Sequence, residues 1–143
     1  MTDEDTSRIS VVLDTNVFVA AYWVPTSHSA QLIQACKKKL IRAHYSPEVR
    51  REIERILRMI KAREAFLKSL EDFWTAAEQV RGIPVEEIDN LADPDDRKFL
   101  EAAAGGKSDL LVTNDQHLLC LKSVRKTQIV TPKSAIKIIG LEA

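Results

Sequence analysis

The sequence predicts an α/β fold built around a parallel sheet. Short apolar runs alternate with longer stretches of helical periodicity, the pattern of βα units whose crossover helices make neighbouring strands parallel. Two segments, Ser46-Pro47-Glu48 and Asp93-Pro94-Asp95-Asp96, combine a capping residue, a proline at the first helical position and acids in the first turn, which marks helix starts. A hydrophobic content of 45% in 143 residues, with four glycines and five prolines, supplies one core and leaves little room for a linker. A single domain over residues 1–143 is expected, with residues 1–8 as a flexible N-terminal tail.

The elements follow in order. Ile9 to Leu13 reads as a first buried strand, and Ser27 to Lys38 as a helix carrying Ala30, Ile33 and Ala35. Leu40 to Tyr45 is a second strand. The helix opened by Ser46 presents Val49, Ile53, Ile56, Leu57 and Ile60 on one face, and a further helix over about Arg63 to Gln79 presents Phe66, Leu70, Phe73 and Trp74. Gly82-Ile83-Pro84 breaks that pattern, and Val85 to Ile88 reads as a short strand. The helix from Asp93 runs to Gly105-Gly106. Leu110 to Thr113 is the clearest late strand; Asn114-Asp115 and a short helix to about Leu121 follow it. Ile129 to Thr131 and a helix from Pro132 to Ile139 complete the pattern.

Composition excludes several classes. The 21 Lys plus Arg balance 21 Asp plus Glu, so the overall field does not grip nucleic acid, and the runs Lys37–Lys39 with Arg42 and Arg50, Arg51, Arg55, Arg58 read as solvated helix surface. No apolar stretch approaches the roughly 20 residues of a membrane span. Met1 to Ser10 is acidic and polar, unlike a secretory signal, which makes the cytoplasm the expected location. Cys36 and Cys120 lie far apart and read as buried free thiols, and scattered His28, His44 and His117 do not suggest a zinc site.

Ligands of open α/β sheets bind beyond the carboxyl ends of the strands. Asp14 directly follows the first strand and Asp115 lies two residues past Thr113, whereas Asp109 precedes its strand and belongs at the opposite edge. Either acid alone reads as a helix cap or Asx-turn. Together at one edge they crowd like charge, which a cation relieves. Glu52 falls about 60° from Val49 on the helical wheel, at the border of the apolar arc; a boundary glutamate with its head in water is an equal reading. Glu48 is a weaker candidate, and Glu54 points away. Asp96 shares a stripe with Phe99, Leu100 and Ala103, which a capping role alone does not explain. Four carboxylates converging on one pocket suit a hard divalent ion and phosphoryl chemistry.

The order Val-Val-Leu-Asp14-Thr-Asn16, Ser46-Pro-Glu-Val-Arg-Arg-Glu52-Ile, Asp93-Pro-Asp-Asp96-Arg-Lys-Phe-Leu and Leu-Val-Thr113-Asn-Asp115 resembles the PIN domain. The likeness is strongest to the toxin components of bacterial and archaeal toxin–antitoxin pairs (VapC-like ribonucleases). It extends from Ile9 to the last helix, and its specificity lies in the order of four short motifs. The resemblance implies an α/β/α sandwich with a five-stranded parallel sheet and a Mg²⁺- or Mn²⁺-dependent endoribonuclease site. Its metal-binding acids fall on Asp14, Glu52, Asp96 and Asp115, supported by Asn16 and Thr113, with Asp93 as a helix cap or supporting group. It further implies an RNA substrate, a homodimer and an antitoxin partner. A catalytically weak PIN fold used for RNA binding or assembly is the alternative. Asp14-Thr15-Asn16 has neither the acidic pair of a phosphotransfer receiver nor the D-x-D of an aspartyl phosphatase.

Overall fold

The structure is a computed structural model that describes residues 8–88 and 93–141; the expected N-terminal tail, apart from Arg8, lies outside the described residues. β1 (Ser10–Leu13) leads into α1 (Thr15–Trp23) and α2 (His28–Lys37), then β2 (Arg42–Tyr45), α3 (Pro47–Met59), α4 (Glu64–Ala76) and β3 (Glu78–Gln79). A 3-10 turn at Glu86–Ile88 precedes α5 (Pro94–Gly106). β4 (Leu110–Val112), α6 (Gln116–Leu119), β5 (Ser123–Val124), β6 (Thr127–Val130) and α7 (Pro132–Ile139) follow.

The sheet order is β3-β2-β1-β4-β6-β5. The first five strands are mutually parallel, as the expected parallel sheet requires, and β5 adds a sixth, antiparallel to β6 through Val124↔Thr127. The chain moves outward from β1 to β2 and β3, then returns past β1 to continue at β4. Right-handed crossovers in opposite directions place helices on opposite faces. Accordingly α5 lies across β1, β2 and β4, whereas α2 packs against α1, α4 and α7. The strand order reverses between β1 and β4, which makes the space beyond the carboxyl ends of these two strands the ligand crevice position of an open α/β sheet.

Strand interiors make the centre of the core: Val11, Val12, Leu111 and Val112 are fully buried. Phe18 of α1 meets Phe73 edge-on at 5.2 Å and stacks on Trp74 at 5.9 Å. That contact clamps the helix following Asp14 to α4, and truncating Phe18 to Ala would cost about 3–5 kcal/mol. Arg50 covers the outer side of Trp74 at 4.8 Å, so its role is packing.

Two expectations need correction. Val85 to Ile88 is not a strand; Val85 and Ile88 are buried beside a single 3-10 turn, so the apolar spacing reflects three residues per turn. The third strand lies earlier, at the polar pair Glu78–Gln79, which pairs with His44 and Tyr45. Cys36 is buried as expected, and its thiol is pushed above its ordinary range by burial, but Cys120 is exposed.

Candidate active site

Asp14 stands where β1 ends and α1 begins. Its backbone N–H still belongs to the sheet, donating to Val112 O at 3.0 Å, while its side chain caps α1 by accepting from Thr15 N at 2.7 Å. The other carboxylate oxygen accepts from Thr113 Oγ1 at 2.6 Å and Asn16 Nδ2 at 3.0 Å. The residue is 5% exposed. Burial is the main reason its pKa is raised, with the anions of Glu52 and Asp115 adding to the shift and the bonds from Thr113 and Thr15 opposing it.

Asp115 reaches the same crevice from the neighbouring strand. Its backbone N–H donates to Thr113 Oγ1 at 2.9 Å, and its carboxylate caps α6 through His117 N at 2.8 Å. Asn114 N donates to Asn16 Oδ1 at 3.2 Å, so the loops leaving β1 and β4 are laced together. The expected supporting residues, Asn16 and Thr113, therefore hold Asp14 directly.

Glu52 comes from α3, whose start is fixed by the Ser46 hydroxyl accepting from Val49 N and by Pro47 in the first turn. Its carboxylate faces inward: Thr15 Oγ1 donates to Oε2 at 2.6 Å, and Lys98 Nζ meets Oε1 at 2.6 Å. Glu54 instead pairs with Arg50 along the helix surface at 3.4 Å, and Glu48 with Arg51 at 3.8 Å. The boundary position of Glu52 is thus resolved towards the interior by partners from α1 and α5, two contacts that periodicity does not contain.

Asp93 caps α5, accepting from Asp95 N at 2.9 Å. Asp96, one turn in, is half-buried. Its pKa is pushed up to about 6, first by burial and then by the anions of Asp115, Asp14 and Asp93, with His117 opposing. The charges of Glu52 and Asp115 thus act on Asp14, and those of Asp115 and Asp14 on Asp96, although the four acids arise from the end of β1, α3, α5 and the end of β4. Asp109 sits at the opposite edge, bound to Ser10 N at 2.9 Å and Lys126 Nζ at 3.3 Å.

Among the described residues, no group of three or more His, Cys, Asp or Glu side chains is gathered into a formed metal cage. Asp14 is nevertheless within electrostatic reach of each of the other three acids. Asp14 and Glu52 are each engaged by local donors. The donor set still fits a hard divalent cation: every candidate ligand is a carboxylate oxygen, and two of the acids are raised in pKa, first by burial and then by neighbouring anions. A groove of about 500 Å³ is lined by Pro47, Glu48, Gln79, Arg81, Gly82 and Glu101, with none of the four acids in its wall.

Residues 10–117 match the PIN domain family. The chain belongs to that family. PIN domains are nucleases that generally use divalent metal ions. The chain is 25% identical over 144 residues to an uncharacterized protein of Methanocaldococcus jannaschii, covering 91% of each. Its fold is similar to a chain of VapBC2 from Rickettsia felis, crystallised bound to a DNA fragment from its promoter (TM-score 0.61, 16% identity, 86% of this chain and 98% of that one). It is also similar to a solved protein of Pyrobaculum aerophilum (TM-score 0.62, 13% identity, 94% and 91% covered). Among the described residues of this PIN domain, no helix is long and apolar enough to cross a membrane.

Proposed function

We propose that this PIN domain is a metal-dependent endoribonuclease, with Asp14, Glu52, Asp96 and Asp115 as its catalytic metal ligands. What supports the reading is Asp14 and Asp115, tied through the Thr113 hydroxyl at the β1/β4 reversal of the sheet, with the charge of Glu52 acting on Asp14 and those of Asp14 and Asp115 acting on Asp96. Mg²⁺ or Mn²⁺ bound by these carboxylates would supply a Lewis acid to activate water and offset phosphodiester charge. The chain's own residues prepare the site. Thr113 and Asn16 fix the rotamer of Asp14, Thr15 aims Glu52, and Asp93 fixes the start of the helix that carries Asp96.

The reading extends to biology. The likeness of fold to a VapBC2 chain supports a toxin of a toxin–antitoxin pair, acting on RNA in the cytoplasm, as a homodimer held silent by an antitoxin protein. Purified protein is expected to cut single-stranded RNA with Mn²⁺ or Mg²⁺, to stop when EDTA is added, and to lose activity in Asp14→Asn and Asp96→Asn. If both variants cut as well as the wild type, the assigned site is wrong. Expression alone should arrest growth, and co-expression of an adjacent antitoxin gene should relieve it.

A further inference from the structure

Resting on the metal-site reading above, we infer that Lys98 is a built-in counter-cation, whose ammonium must leave Glu52 before that acid can serve a divalent ion. Lys98 lies on α5 two residues after Asp96 and reaches across the crevice to α3. Its Nζ is 2.6 Å from Glu52 Oε1, with the lysine side chain 27% exposed and the glutamate 15%. The neighbouring pairs of α3, Arg50 with Glu54 and Arg51 with Glu48, lie along the helix surface at 3.4 and 3.8 Å. Only the Lys98 pair among these joins two elements carrying candidate ligands.

The arrangement leaves Glu52 no idle oxygen. Thr15 Oγ1 holds Oε2 at 2.6 Å while Lys98 holds Oε1. An ammonium and a divalent cation repel each other at the few-ångström separation that a shared carboxylate imposes. Metal entry therefore exchanges one cation for the other. In the metal-free protein Lys98 holds Glu52 inward, where its charge acts on Asp14; in exchange it raises the metal concentration at which the site fills. The threshold for activation is set by a residue two positions from a ligand on the same helix.

Titration calorimetry with MnCl₂ alone, without RNA, tests this on wild type, Lys98→Met and Lys98→Arg. Removing one positive charge beside the site should tighten Mn²⁺ binding about tenfold in Lys98→Met, while Lys98→Arg stays near wild type. Lysine acylation read by peptide mass gives a second readout on the wild type. Lys98 should label slowly without metal and faster with saturating Mn²⁺. Equal or weaker Mn²⁺ binding by a Lys98→Met protein with a cooperative melt overturns the inference. If that variant does not fold, metal-independent labelling of Lys98 overturns it instead. The parent reading fails separately: it falls if wild type and Asp14→Asn bind Mn²⁺ alike or neither binds it.

Discussion

Thr113 Oγ1 donates to Asp14 Oδ2 at 2.6 Å and accepts from Asp115 N at 2.9 Å, so one fully buried hydroxyl ties together the two acids that leave neighbouring strands. Thr113→Val keeps the shape and removes both bonds. Leaving a buried carboxylate short of a donor should cost about 1–3 kcal/mol in urea unfolding, and metal affinity or cleavage should fall about 10–100-fold. Thr113→Ser should recover most of both. Unchanged cleavage by a folded Thr113→Val protein would show that the hydroxyl is not a positioning group.

The raised pKa of Asp96 gives the metal-free protein a pH dependence of known sign. Its carboxyl titrates at about 6 in the folded chain against an ordinary 3.8, so the native state binds more protons between those values and loses stability as pH rises through them. Asp96→Asn should therefore melt higher than wild type at pH 7.5 without metal, and the gap should close by about pH 4. Mn²⁺ should raise the melting temperature of the wild type more than that of the variant. A gap independent of pH between 4 and 7.5 would contradict this account.

Asp109 supplies a control from the other edge of the sheet. Burial pushes its pKa up, but bonds from Ser10 and the charge of Lys126 together bring it below the ordinary value. Its contribution to stability is present above pH about 4 and disappears as pH falls through the folded pKa. Asp109→Asn should lower stability at pH 7 by about 1 kcal/mol and leave Mn²⁺ affinity and RNA cleavage untouched. A drop in metal affinity would mean that the two edges of the sheet communicate.

Backbone geometry around the C-terminal end of α5 yields opposite outcomes at two positions only two residues apart. A Cβ on Gly105 would lie 1.7 Å from Arg81 O, so Gly105→Ala must push α5 away from the segment after β3, destabilising by about 1–3 kcal/mol. Two residues on, Lys107 ends the helix in the left-handed region at φ 51°. Lys107→Gly should be neutral or stabilising by up to about 1 kcal/mol. Thermal melts of the two variants should move in opposite directions or differ clearly in size.

Where the sequence was legible, local chemistry and burial agree. Ser46-Pro47 and Asp93-Pro94 begin helices where their caps predict, and the last helix runs from Pro132 to Ile139 as expected. Helix α1 was not foreseen, because Thr15–Trp23 is apolar almost throughout and buries Thr15, Val17, Phe18 and Ala21, leaving no polar face to reveal a period. β3 and β5 are two residues each, too short to alternate. The acids at strand ends follow from topology, which the βα pattern conveys. Glu52 was ambiguous because its orientation depends on Lys98 and Thr15, residues 46 and 37 positions away, and no wheel encodes such distances.

Both outermost strands of the sheet are only two residues long, Glu78–Gln79 on one side and Ser123–Val124 on the other. One carries an exposed carboxylate, and the other turns at once into Arg125 in the left-handed region. Such stunted borders offer an incoming chain almost no ladder to extend and place charge where it would have to zip. The sheet edges thereby resist fibril-like growth, and any pairing of two copies of this chain would have to use the helical flanks instead.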